Sequence, residues 1–95
     1  MSSVVDVNLD QEEIELKLDN AAGVQKIQYN NIASLRFSIG SIKKWFKIKN
    51  FRVIEVHVRG KATPYIISGD KIKTLEQMEP YLRQMAEKHS IAIET

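Results

Sequence analysis

Apolar and polar residues alternate with a period of two over the first two-thirds of the chain, a pattern typical of half-buried β-strands. The clearest example places Ile14, Leu16 and Leu18 between charged residues. Short segments rich in Asp, Asn and Gly separate the alternating stretches and indicate reversals of the chain. We therefore predict about seven antiparallel strands. Their alternating residues fall within 5–9, 14–18, 25–29, 35–39, 42–48, 52–58 and 63–67.

The segment from residue 42 to residue 68 is the centre of this prediction, because it contains three of the strands in succession. Gly40 is predicted to end the preceding strand, and Asn50 is predicted to form the turn between the first two strands of the segment. Trp45 is then opposite in phase to Phe46 and points away from the core, since successive strand residues face opposite sides of a sheet.

The hydrophobic period changes after Ser68. Apolar residues and one histidine recur there every three or four positions, which predicts an amphipathic helix within residues 74–89. They are Leu75, Met78, Leu82, Met85 and His89. Thr74 and Gln77 have the spacing of a capping box, but Pro80 removes a helical hydrogen bond. We therefore predict a break or kink at Pro80, with the main helix beginning at residue 79 or 80.

Length and composition limit the class of protein. The chain has 95 residues, and we predict a single domain over residues 1–95. It contains no cysteine, which excludes disulfides and thiolate metal sites and agrees with a reducing compartment. No apolar stretch approaches the ~20 residues of a transmembrane helix, and the first residues lack the pattern of a signal peptide. The sequence therefore predicts a cytoplasmic protein without a transmembrane segment.

Charge is distributed unevenly, although the net charge is only +2. Residues 1–19 contain six acidic residues against Lys17 alone, whereas residues 20–61 contain nine basic residues against Glu55 alone. Pairing of the acidic strand with basic neighbours across a sheet is one interpretation of this asymmetry. Recognition of an anionic partner by the basic segment is the other, and both stay open.

No arrangement of residues predicts catalysis. His57 and His89 lie in different elements, and neither belongs to a metalloprotease or a serine-nucleophile motif. Glu13 and Glu15 share a strand face and offer ligands for a hard cation, but a solvated strand face is the simpler interpretation. We therefore predict that the protein is not an enzyme and has no metal site, cofactor or small-molecule substrate.

The segment KIQYNNIASLRF, residues 26–37, reads as a strand, a tight turn of tyrosine, two polar residues and isoleucine, and a second strand. With the seven strands and the C-terminal helix, it resembles the pleckstrin-homology-like (PH-like) superfold, in particular its small bacterial members. The resemblance implies a mostly β fold (α+β by content), in which a partly open barrel of two nearly orthogonal sheets is capped by the helix. In the family, basic residues of the first hairpin bind phosphoinositide headgroups. Here that hairpin is acidic, so no lipid-site residue is transferred.

The candidate interaction site lies between residues 43 and 52. It comprises Trp45, Lys43, Lys44, Lys47, Lys49 and Arg52. Lys43 and Lys47 are predicted to flank Trp45 on one strand face, with Lys44 on the other. A solvated lysine-rich edge that prevents sheet-to-sheet aggregation is the simplest interpretation of these cations. Lysines also neutralise phosphates and an exposed aromatic ring stacks on bases, so nucleic acid, an anionic lipid surface and an acidic protein all stay open as partners.

These observations favour a non-catalytic interaction module. We expect it to bind a protein partner or a second copy of itself through Trp45, because surface tryptophans commonly anchor interfaces. The alternative is binding of nucleic acid or an anionic surface, such as lipid headgroups, through the basic strand residues. A fold of this type hosts unrelated functions, so the fold alone does not decide between them.

Overall fold

The computed structural model describes residues 4–19 and 23–94. In chain order the elements are β1 (Val4–Leu9), β2 (Glu13–Leu18), β3 (Val24–Gln28), a 3-10 turn (Tyr29–Asn31), β4 (Ile32–Lys44), β5 (Lys47–Val58), β6 (Tyr65–Ser68), α1 (Leu75–Lys88) and β7 (Ala92–Glu94). The prediction of a mostly β chain with one C-terminal helix is confirmed. The reversal predicted between β2 and β3 includes residues 20–22, which lie outside the described residues.

The strands form two sheets. The first is an antiparallel meander in the order β1-β2-β3, and the second has the order β6-β5-β4-β7. β1 contacts β6 without pairing to it, so the described strands do not close into a barrel. The prediction of an all-antiparallel arrangement is wrong at one position, because β7 pairs in parallel with β4. A helical connection allows this pairing, since α1 carries the chain back across the sheet before β7 begins.

The core lies between the two sheets and the helix. Its largest fully buried side chains come from all three layers: Tyr29, Ile14, Leu16, Ile32, Leu35, Ile54, Ile67, Leu75, Leu82 and Val56. The helix contributes Leu75, Leu82 and Met85 to this core, and Met78 packs against it. The predicted apolar stripe is therefore the face that attaches α1 to the sheets.

The helix differs from its prediction at the N-terminal end. It runs without interruption from Leu75 to Lys88 with Pro80 inside it, so the predicted break is wrong. Pro80 and Glu76 are both exposed, so the carbonyl that loses its donor lies on the solvent side of the helix, where a missing hydrogen bond costs least. Thr74 is the N-cap residue, but its side chain forms no capping hydrogen bond, so the spacing of Thr74 and Gln77 does not correspond to a capping box.

Strand β1 has an irregularity that the alternating pattern does not reveal. Its pairing with β2 shifts register between Val4 and Asp6. Val4 and Val7 are consequently buried, whereas Val5, which the alternation places on the same face as Val7, is 39% exposed. A β-bulge explains the difference, because one extra residue reverses which side chains face the core.

The largest departure from prediction is the hairpin formed by β4 and β5. These strands pair continuously from Ser34 opposite His57 to Lys44 opposite Lys47. The chain reverses at Trp45 and Phe46, not at Asn50, and Gly40 lies inside a strand instead of ending one. Three predicted strands, at residues 35–39, 42–48 and 52–58, are therefore parts of one long hairpin, in which the residues before and after the reversal belong to different strands.

Candidate interaction surface at the end of the β4–β5 hairpin

The two ends of the β4–β5 hairpin have different surroundings. At the inner end, β7 pairs with β4 at residues 34–36 and β6 pairs with β5 at residues 53–56. Farther out, among the described strands, β4 and β5 pair only with each other, and every residue from 43 to 50 is exposed. We call residues 39–51 the outer hairpin. It is a two-stranded ribbon that projects from the body of the protein.

The turn at the end of the outer hairpin presents two aromatic side chains to solvent. Trp45 is 90% exposed and Phe46 is 98% exposed. Two-residue hairpin turns require a positive φ at their first central position, which glycine or asparagine usually supplies. Trp45 occupies that position with a φ of 54°. A bulky residue there is strained, and such strain is concentrated at functional sites.

Lysines lie on both faces of the ribbon directly behind the aromatic pair. Lys44 and Lys47 are cross-strand partners, so they share one face, whereas Lys43 is opposite Ile48 on the other face. The prediction that Lys43 and Lys47 share a face is therefore wrong, because the chain reverses between them. Lys44, Lys47 and Lys49 line a groove of about 370 Å³ together with the two aromatic residues.

Exposed aliphatic side chains extend the apolar surface along the ribbon. Ile48 is 68% exposed and Ile39 is 63% exposed. Their cross-strand partners are Lys43 and Arg52. The register places both isoleucines on the face that becomes the core farther in, at Leu35. Exposed apolar side chains thus occur on this face beyond the point where the second layer of the protein ends, on either side of the polar Ser41–Asn50 pair.

Ion pairs attach the base of the outer hairpin to the rest of the protein. Arg52 Nη1 lies 2.8 Å from Glu79 Oε2 of the helix, and Arg83 Nη2 lies 3.0 Å from the other oxygen of that carboxylate. Glu79 is only 8% exposed, and a carboxylate this buried is stabilised by such pairing. Lys49 Nζ lies 3.7 Å from Asp70 Oδ1.

The six predicted site residues therefore fall into two groups. Trp45, Lys43, Lys44 and Lys47 lie at or next to the turn, and none of these three lysines has an acidic partner within the described residues. Arg52 and Lys49 lie nearer the body and form ion pairs that hold the hairpin in place.

Sequence reasoning missed Phe46 and Ile48, which the predicted alternation placed on the core side. The sequence carries no clear signal for this reversal, because Trp45 and Phe46 are not residues typical of a turn. The apolar alternation also changes phase between Ile39 and Ile42, which falsely indicates a strand end at Gly40.

The two histidines have structural contacts. His57 Nε2 lies 3.4 Å from Glu55 Oε1, and Arg36 Nη1 lies 3.8 Å from the other oxygen of Glu55. The ring of His89 stacks on that of Tyr29 with 5.1 Å between centroids. Burial raises the pKa of the Tyr29 hydroxyl well above its usual range. Within the described residues, no three His, Asp or Glu side chains are grouped closely enough to hold a metal ion.

No described helix combines the length and the apolar character that crossing a bilayer requires. No family model, curated protein or solved structure matches the chain. The geometry and chemistry of the outer hairpin itself are therefore the only indication of function within the described residues.

Proposed function

We propose that the protein is a non-catalytic binding module and that the outer hairpin is its contact surface. The observation that carries this proposal is the near-complete exposure of Trp45 and Phe46, side by side at the turn. Neighbouring large apolar side chains that are exposed and rimmed by polar residues mark interaction sites on soluble domains. Tryptophan in particular provides binding energy when a partner removes it from water.

The charge around the turn defines the kind of partner. Lys43, Lys44 and Lys47 surround the aromatic pair, and the segment 37–54 contains no acidic residue. Two copies that met turn to turn would bring these lysines together without counter-charges, which disfavours that dimer. A partner with an acidic surface complements the turn. A second copy meets this requirement only by presenting its acidic first hairpin, which contains Glu12, Glu13 and Glu15.

We also propose that the fold is a variant of the PH-like superfold. Support comes from the two sheets, from the contact between β1 and β6 and from the C-terminal helix. The turn at Tyr29–Asn31 lies where the family pattern expects it, between an apolar strand and the next strand. The short parallel strand β7 and the length of the β4–β5 hairpin are the departures from that pattern.

The test uses Trp45 as its own reporter, since it is the single tryptophan of the chain. Its emission and its accessibility to a soluble quencher are measured while three partners are titrated. They are the protein itself, a single-stranded oligonucleotide, and vesicles with an acidic surface. We expect at least one partner to shift the emission to shorter wavelength and protect the ring from the quencher. An indole that stays fully accessible with all three would contradict the proposed function.

A matched pair of variants shows whether the contact is centred on the aromatic ring. Trp45→Ala is compared with Lys43→Ala/Lys47→Ala for binding to the same partners, with binding followed by sedimentation. For a protein partner the tryptophan variant should bind more weakly, because a desolvated aromatic contributes about 2 kcal/mol or more and rim lysines about 0–1 kcal/mol each. A larger, salt-dependent loss in the lysine pair would identify a polyanion instead.

A further inference from the structure

We propose that the partner of the outer hairpin is the surface of an anionic lipid bilayer, into which Trp45 and Phe46 insert. This inference rests on the proposed function and names the partner of the same surface. Three features of the outer hairpin support it: the order of apolar and cationic groups along its axis, their presence on both faces, and the absence of acidic residues in its sequence.

The first feature is the spacing of groups from the turn. Residues in a strand are separated by roughly 3.4 Å, so Lys44 and Lys47 lie about one step behind the aromatic pair and Lys43 about two steps, or roughly 7 Å, behind it. Interfacial elements bury their apolar part about 5–10 Å into the boundary between headgroups and acyl chains. With the two rings at that depth, the lysine ammonium groups reach the level of the lipid phosphates.

The second feature is the distribution of groups around the ribbon. Lys44 and Lys47 lie on one face and Lys43 lies on the other, so the turn has cations on both sides. A planar acidic surface approached end-on meets both faces of the ribbon at once. A protein or nucleic-acid groove that accepts the ribbon against one face leaves the lysines of the other face without partners. The geometry therefore favours end-on contact with a surface.

The third feature is the chemistry of the two ribbon faces and of the turn at the end of the outer hairpin. A ribbon that follows nucleic-acid phosphates needs cations along the face it applies to them. On the face with Lys44 and Lys47, Lys49 is paired with Asp70, and the face with Lys43 also carries exposed Ile39 and Ile48. Arg52, on that same face, is engaged by Glu79 at 2.8 Å. Tryptophan and phenylalanine at the very end, with lysines behind them, match the order that the bilayer interface prefers.

The experiment measures binding to vesicles of pure phosphatidylcholine and of phosphatidylcholine mixed with phosphatidylserine, at low and at physiological salt. We expect Trp45 emission to shift to shorter wavelength with the mixed vesicles and to be quenched by lipids brominated high on the acyl chain. With pure phosphatidylcholine the shift should be much smaller. An unchanged emission with the mixed vesicles at low salt would overturn the proposal.

Two sets of variants separate insertion from general attraction, with binding followed by co-sedimentation. Trp45→Ala/Phe46→Ala should lower the partition coefficient by about tenfold or more, because two apolar side chains no longer enter the interface. Lys43→Gln/Lys44→Gln/Lys47→Gln should lower it by roughly fivefold for each lysine. The matched control is Lys17→Gln/Lys26→Gln/Lys88→Gln, which changes the net charge equally with exposed residues outside the hairpin. This control should lower the partition coefficient far less.

The outcomes distinguish this inference from the proposed function. Bilayer insertion would be overturned if the hairpin lysine variant and the control lysine variant lost vesicle binding equally. It would also be overturned if the aromatic double variant bound vesicles as well as the wild type does. If Trp45 is protected by the oligonucleotide or by the protein itself and not by vesicles, bilayer insertion is also overturned, while the proposed binding function stands. If no partner protects Trp45, both are overturned.

Discussion

The β4–β5 hairpin has an inner half, residues 34–38 and 52–57, and an outer half, which is the outer hairpin. The two halves have the same strand pairing but different surroundings. One uninterrupted antiparallel ladder joins them, from Ser34 opposite His57 to Lys44 opposite Lys47. On the same face of β4, Leu35 is fully buried and Ile39, four residues farther out, is 63% exposed. Backbone pairing is therefore shared by the two halves, and only the presence of neighbouring layers separates them.

This difference shows where stability and binding reside in the molecule. The inner half is flanked in its own sheet by β6 and β7 and packs against the first sheet and the helix, so its apolar side chains stabilise the fold by leaving water. A two-stranded ribbon alone is at best marginally stable, so the outer half depends on the inner half for its order. Its own apolar side chains add little to folding and are available to a partner.

The largest expected effect comes from a matched pair of truncations on one strand face. Leu35→Ala should lower the free energy of unfolding by about 2–5 kcal/mol, because it leaves a cavity in the core. Ile39→Ala should lower it by less than about 1 kcal/mol, since the side chain is already mostly in water. Denaturant unfolding of the two variants checks this. Equal losses would show that the outer half is packed as tightly as the inner half.

A smaller effect is expected at the boundary between the halves. Glu79→Gln should destabilise the fold by about 1–2 kcal/mol, because the neutral amide no longer holds Arg52 and Arg83, whose partial exposure moderates the loss. Glu76→Gln on the exposed side of the same helix is the control and should change stability by less than about 0.5 kcal/mol. Thermal unfolding that does not distinguish the two variants would contradict this role for Glu79.

Alkaline pH provides a third test, confined to the body of the protein. The fold holds Tyr29 in its neutral form, chiefly through burial, so its pKa is higher in the folded than in the unfolded chain. The associated stability is complete below about pH 10, where the unfolded tyrosine ionises, and is lost as the pH rises further. The free energy of unfolding of Tyr29→Phe should therefore fall less than that of the wild type between neutral and strongly alkaline pH. Parallel pH profiles of variant and wild type would be the contrary result.

The smallest expected effect on stability concerns the turn itself. Trp45→Gly should leave the free energy of unfolding unchanged or raise it by at most about 1 kcal/mol, because glycine adopts the positive φ without strain. The same change removes the side chain that we propose binds the partner. Chemical denaturation and vesicle binding are measured on this one variant. A clear loss of stability would mean that the indole supports the fold.

Much of the fold can be predicted from the sequence, because an element that buries one face repeats its apolar residues every two positions in a strand and every three or four in a helix. The strands that face the core on one side, such as β2 with Ile14 and Leu16, alternate cleanly, and the helix stripe through Leu82 is equally clear. The bulge in β1 and the parallel pairing of β7 are not predictable in this way. They depend on contacts between segments distant in the chain.

The sequence indicates which residues of the outer hairpin are exposed or charged, but not where the chain reverses. The exposed tryptophan and the lysines were identified, but Gly40 and Asn50 look like turn residues, and Trp45 does not. A Cβ atom on Gly40 would lie 2.8 Å from Cε2 of Phe51, so this glycine serves close packing across the ribbon instead of a reversal. Local propensity cannot distinguish these two uses of glycine.

Amide hydrogen exchange, recorded with and without mixed phosphatidylcholine–phosphatidylserine vesicles, tests the central claim most directly. In the free protein we expect slow exchange at residues 34–37 and 53–56, and fast exchange at residues 40–44 and 47–50, because local stability follows burial. Vesicles should slow exchange in the outer residues and leave the inner residues unchanged. Outer amides that exchange as slowly as the inner ones in the free protein, or that vesicles leave unaffected, would contradict the account.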